Sequence, residues 1–172
     1  GWLYQGKRDW RMAKYHYEKA VEIDPQFAAA YNGIGYILGE VGQYQQAIAF
    51  YKQALKVGGV SAQALSNLSF LYNQLGFPDA ALQYASKAIE IDAKNSEAYN
   101  NLGIAYAQKG NLDVAIENFK KAITLQADYA QAHMNLGAAY GIKGDFKKEI
   151  ESYEKAIRLK PDYAQAYYNL GY

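Results

Sequence analysis

The sequence predicts an all-α fold, a solenoid of antiparallel helix pairs with a 34-residue period. Three observations carry that expectation. The first is phase. Asn67, Asn101, Asn135 and Asn169 stand 34 residues apart, and Leu68, Leu102, Leu136 and Leu170 follow at the next position. Gly35, Gly103, Gly137 and Gly171 keep the same lattice, with Ser69 in the remaining slot. Further series run through Gly42, Gly76, Gly110 and Gly144, and through Ala13, Ala47, Ala81 and Ala115. A fixed period of this length marks a stack of repeated units. The second observation is apolar spacing. Ala98, Leu102, Ala105 and Tyr106 share one helical face, as do Leu112, Ala115, Ile116, Phe119, Ala122 and Ile123. The third is punctuation. Gly110 can end one helix and Asn111 can cap the next. Pro78 suits a first helical turn, and Pro25 and Pro161 follow a second helix.

The units follow in order. A truncated unit occupies 1–27, complete units occupy 28–61, 62–95, 96–129 and 130–163, and 164–172 opens another. All form one array over 1–172. The joints inside the complete units read VGQ, LGFPD, KGN and KGD. No insertion breaks the phase.

These residues resemble the tetratricopeptide repeat (TPR) family along the whole chain. The family pattern is matched by Tyr99, Leu102, Gly103, Tyr106, Ala115 and Phe119, and again by His133, Leu136, Gly137, Tyr140, Tyr153 and Pro161. Looser copies run through Tyr31, Ile34, Gly35, Ala47 and Tyr51, and through Leu65, Leu68, Tyr72 and Ala81. The resemblance implies a right-handed superhelix whose first helices line a concave face. It also makes most of the eighteen tyrosines scaffold residues: Tyr4, Tyr17, Tyr31, Tyr44, Tyr51, Tyr72, Tyr99, Tyr106, Tyr140, Tyr153 and Tyr167 sit at aromatic phases. Gly58–Gly59 replaces the usual Asp-Pro of the turn between units and is expected to be a looser joint.

Composition narrows the function. With 18 basic and 17 acidic residues, net charge +1, nothing favours nucleic acid or an anionic membrane as partner. No apolar run approaches the ~18 residues of a membrane span, so membrane insertion is not expected. No signal-peptide pattern opens the chain. The absence of Cys excludes disulfides and thiolate metal sites and favours a cytoplasmic location. No catalytic, metal or cofactor constellation emerges. His133 fills the slot of Tyr31, Tyr99 and Tyr167, which points to packing; His16 lies in another phase. One residue breaks the scaffold rule: Glu149 stands in the alanine slot. A buried unpaired carboxylate costs several kcal/mol. Glu149 is therefore expected to be partly exposed, to reach Lys147 or Lys148 through solvent, or to touch a neighbouring domain, with Gly141 leaving room.

The resemblance places a groove along the first helices. Its candidate peptide contacts are Asn32, Tyr36, Gln63, Asn67, Phe70, Asn100, Asn101, Gln131, Asn135 and Asn169. A carboxamide offers both donors and an acceptor, the complement of a peptide backbone. Asn is only a middling helix former, so its repetition is not for the helix. Some relatives use such a ladder to hold an extended peptide. Glu40 and Glu97 are the only charges at inner positions, so binding is expected to depend little on salt. The chaperone-binding subfamily grips a carboxylate with basic residues, which the matching positions here lack. The expected function is a non-catalytic adaptor for an extended or helical protein segment. Head-to-tail self-association, or service as the recognition arm of a larger enzyme or membrane-complex assembly factor, are the alternatives.

Overall fold

The computed structural model describes residues 9–171. Every regular element among them is a helix: α1 (Trp10–Ile23), α2 (Ala28–Glu40), α3 (Tyr44–Gly58), α4 (Ala62–Gln74), α5 (Pro78–Ile91), α6 (Ser96–Gln108), α7 (Leu112–Leu125), α8 (Ala130–Ile142), α9 (Phe146–Leu159) and α10 (Ala164–Leu170). Consecutive helices pack on each other, and each first helix also touches the first helix of the next pair. The result is a helical solenoid.

Each pair closes by setting an aromatic ring against bare backbone. A Cβ added at Gly35 would come within 3.0 Å of the Tyr51 ring. At Gly103 it would stand 2.6 Å from Phe119, and at Gly137 2.7 Å from Tyr153. Glycine is required because no methyl group fits a contact packed to this density. The second pair departs on both sides at once. Ser69 replaces the glycine, and Ala85 stands where the ring would be; both are fully buried. The hydroxyl of Ser69 donates to the Ala81 carbonyl at 2.8 Å, so its burial leaves no donor unsatisfied.

The ring also wedges apart successive first helices. Tyr51 reaches from Gly35 on α2 to Asn67 on α4, which donates to its hydroxyl at 2.9 Å. With Ala85 there is no wedge between α4 and α6. These helices approach closely enough for side chains to bond backbone: Asn73 Nδ2 to the Asn101 carbonyl (2.8 Å), and Gln108 Nε2 to the Asn73 carbonyl (3.0 Å).

The joints turn on Gly42, Gly76, Gly110 and Gly144, whose φ values of 79°, 74°, 77° and 78° strongly favour glycine. Pro78 occupies the first turn of α5, as expected. Two local expectations need correction. The Asn111 side chain makes no cap bond; its backbone N–H instead donates to the Tyr106 carbonyl at 2.9 Å. Gly58 is not a loose joint. A Cβ there would lie 2.1 Å from the Ala28 Cβ, so its bareness lets the end of α3 abut the start of α2.

Among the scaffold tyrosines, Tyr17, Tyr51, Tyr140 and Tyr153 are buried, and Tyr31, Tyr44, Tyr72, Tyr99 and Tyr106 are half-buried. Tyr4 lies outside the described residues. Tyr167 departs from the pattern: it is 53% exposed, on the outermost described helix. Glu149 is half-buried, with its carboxylate over Gly141. Lys148 pairs with Asp145 instead, so it is not Glu149's partner. Gly141 and Glu149 thus exchange volume at phases where α6 and α7 carry Ala107 and Ala115.

Substituting Gly103→Ala should destabilise by about 1–3 kcal/mol, because neither the Phe119 ring nor the Ala115 carbonyl can give way freely. Gly141→Ala meets only the flexible end of Glu149, 2.4 Å away. It should be near neutral alone. In a Glu149→Ala background it should gain ~1 kcal/mol from helix propensity. Urea unfolding of the four variants decides; equal costs for the two glycines would refute the distinction.

Candidate functional site

The first helices present their i, i+3 and i+4 positions on a common face. There α2, α4 and α6 border a depression of about 180 Å³, partly open to solvent. Tyr36, Gly39 and Glu40 of α2 line it, with Tyr51 of α3, Asn67, Phe70 and Leu71 of α4, Glu97 and Asn101 of α6, and Tyr129. A second depression shares Tyr36, Tyr51, Asn67 and Glu97 with the first and extends to Tyr17, Asn32 and Gln63. The two form one groove.

The structure brings together Asn32, Tyr36, Gln63, Asn67, Phe70 and Asn101 from the expected contacts. Tyr36 and Phe70 are 38% and 42% exposed. Asn32 Oδ1 is buried and has no partner among the described residues. Asn101 is buried in the floor. Asn100 is also buried but does not line the groove. Asn135 lines a separate depression with Ile104, Gln108 and Phe119, and Asn169 lines another with Glu149 and Tyr153. Gln131 is exposed and donates to Asn135.

The amide nitrogens of the asparagine series are engaged in the seams between helix pairs. Asn67 donates to the Tyr51 hydroxyl (2.9 Å) and Asn101 to the Ser66 carbonyl (2.9 Å). Asn135 donates to Asn100 Oδ1 (2.9 Å), and Asn169 makes a long contact with Met134 Sδ (3.9 Å). The acceptor follows the wedge. Tyr51 offers its hydroxyl to Asn67. Phe119 and Ala85 offer nothing, so Asn135 and Asn101 reach back to the preceding first helix. The amide oxygens of Asn67, Asn135 and Asn169 accept from Gln63, Gln131 and Gln165, each one turn earlier. Before Asn101 that position holds Glu97, which has no N–H to give. Glu97 accepts from Gln63 at 2.8 Å instead.

Two groove tyrosines carry unusual electrostatics. Burial, above all, holds the Tyr51 hydroxyl well above its ordinary range against the lowering effect of Asn67; Tyr36, Glu40 and Glu97 raise it further. Burial, then the Glu97 charge, pushes Tyr129 up to about 12. Sequence reasoning placed Tyr17 and Tyr51 in the scaffold alone and passed over Tyr129. The available signal was spacing: Tyr51 precedes Asn67 as Tyr153 precedes Asn169. Among the described residues no group of three or more His, Cys, Asp or Glu could hold a metal ion. No described helix is long and apolar enough to cross a membrane.

Asn101→Ala should cost about 1–3 kcal/mol, because the buried Ser66 carbonyl loses this donor. Asn169→Ala should cost less, its contact being long and half-exposed. His133 is buried, with Nε2 3.2 Å from the Ala127 carbonyl. Burial lowers its pKa from 6.5, against the raising effect of that bond. The folded state therefore binds fewer protons than the unfolded state. The His133 contribution to stability is complete above pH ~6.5 and is lost as pH falls through the folded pKa. Replacing it with tyrosine should flatten this part of the profile of melting temperature against pH; an unchanged slope would exclude the assignment.

Comparison with known proteins agrees with this architecture. Family models for tetratricopeptide repeats match residues 16–49 and 84–117, and residues 35–96; a TPR repeat model matches 105–144 and 142–172. No curated protein matches the sequence. Among solved structures, YrrB, described as a TPR protein with an unusual peptide-binding site, is 28% identical, with a TM-score of 0.70 over 99% of this chain and 88% of its own. MamA is 25% identical, with a TM-score of 0.74 over 95% of both chains. PilF from Pseudomonas aeruginosa shares the fold, at 20% identity and a TM-score of 0.82 over 96% of this chain and 76% of its own. With repeat matches running from residue 16 to residue 172 and the solenoid itself in view, the chain belongs to the tetratricopeptide repeat family.

Proposed function

We propose that this interaction scaffold holds an extended segment of a partner protein along the groove crossing α2, α4 and α6, without catalysing a reaction. The groove itself carries the reading: it is continuous, and Tyr36 and Phe70 stand partly exposed in it. Such rings supply apolar area with little entropy to lose. Gln63, exposed at the groove, offers the backbone a carboxamide, while the amide nitrogens of Asn67 and Asn101 are held in the seams. Each such bond contributes only ~0.5–1.5 kcal/mol net, so affinity is modest and tolerant of sequence. Gln131, Asn135 and Asn169 continue the face for a longer segment. The peptide-binding site ascribed to YrrB supports the same reading.

The test is selection of peptides from a random library, repeated on a Tyr36→Ala/Phe70→Ala variant. Selected peptides should lose at least about tenfold in affinity, while circular dichroism shows the variant still helical and cooperatively folded. Retained binding would place the site elsewhere.

Head-to-tail association is a second reading. Ile142, Ile150, Tyr167 and Tyr168, on α8 to α10, are 71%, 47%, 53% and 61% exposed. A helix of a second copy laid there would make a heterologous contact. Sedimentation across concentration tests it; a strict monomer would exclude it.

A further inference from the structure

The groove joins two carboxylates that lie far apart in sequence. Glu40 and Glu97 line the same depression, and no Lys or Arg lines it or its extension. Neither forms a salt bridge among the described residues. Cations elsewhere do have partners: Lys109 pairs with Asp79, and Lys143 with Asp113, one period on. Glu40 is not explained by its helix, and Glu97, in the first turn of α6 where the dipole favours a negative charge, departs from its phase. Glu40 ends α2, where a negative charge opposes the helix dipole. Glu97 replaces the glutamine found at Gln63, Gln131 and Gln165. It is oriented by the N–H of Gln63 rather than neutralised.

The remaining walls suit a flat cation. Tyr36, Phe70 and Tyr129 border the same space. Aromatic faces attract cations, most usefully where water is partly excluded. A guanidinium is planar, weakly hydrated and able to donate several hydrogen bonds at once; an ammonium is a compact and strongly hydrated point charge. We propose that this pocket takes an arginine side chain of the bound segment, its guanidinium between Glu40 and Glu97 and against the aromatic walls. The inference rests on the groove being the peptide site. It replaces the expectation of salt-insensitive binding, because two unneutralised charges converge in one place.

The raised tyrosines are consistent with it. After burial, the largest cause, both carboxylates raise Tyr51, and Glu97 raises Tyr129. The lining of the pocket thus carries two carboxylates and no cationic side chain.

The experiment uses the 172-residue chain and a random 12-mer peptide library. Peptides that lose binding to the Tyr36→Ala/Phe70→Ala variant define groove ligands. These should be enriched in arginine over lysine and over the input library. In the tightest of them, replacing that arginine by citrulline, neutral and nearly the same shape, should weaken binding by about tenfold or more, and lysine should fall between. Glu97→Gln and Glu40→Gln should each produce a similar loss with an unchanged melting temperature, and should reduce the dependence of affinity on salt. Groove ligands without arginine enrichment, bound equally by Glu97→Gln, would overturn the proposal and leave the groove reading intact. A library that yields no groove ligand would overturn both.

Discussion

Close approach of an aromatic ring to bare backbone sets the dimensions of the array. Gly35, Gly103 and Gly137 let Tyr51, Phe119 and Tyr153 lie against a first helix. Each ring then spaces that helix from its successor. The spacing decides which polar bonds the seam can make, and hence what is left to face solvent. Where Ala85 takes the ring's place, the seam closes and the side chains of Asn73, Asn101 and Gln108 turn inward to backbone carbonyls. The main pocket straddles this change. It has a tyrosine wedge on one side and a closed seam on the other.

Charge is distributed with the same economy. A net charge of +1 describes the chain but not its faces. Repeated Lys–Asp pairs, such as those of Asp79 and Asp113, bridge successive helix pairs away from the groove. Exposed pairs of this kind contribute little to stability. Among the described residues the carboxylates of the groove have no such partner. An almost neutral protein can therefore present a locally acidic groove.

Much of the fold was legible because its determinants are periodic. The 34-residue series located the helix pairs, and Pro78 located the start of α5. What escaped were coupled exceptions. Ser69 stood out as a gap in the glycine series, but its meaning lies in Ala85, sixteen residues later. The pairing of Glu149 with Gly141, by contrast, was expected, and the Glu149 carboxylate does lie over that glycine. The site was legible only in outline. Phase put Tyr36, Asn67, Phe70 and Asn101 on one face, and the groove includes them. Phase could not say that the nitrogens of Asn67 and Asn101 are consumed by the seams. That depends on which residue fills the wedge one helix earlier. Nor could it show that Glu40, at the end of one helix, meets Glu97, at the start of another two pairs away.

The closed seam between α4 and α6 also makes the solenoid mechanically uneven. Three side-chain-to-backbone bonds cross it, whereas the α2–α4 seam is crossed by Asn67 and the α6–α8 seam by Asn135. A spring built this way bends at its flanks and holds its pitch in the middle. Pulled along its axis, it yields first where a single amide bridges a ring, and α4 to α6 act as a stiff block. The width of the groove over α4 and α6 is thus preserved while the rest of the array accommodates whatever shape its partner brings.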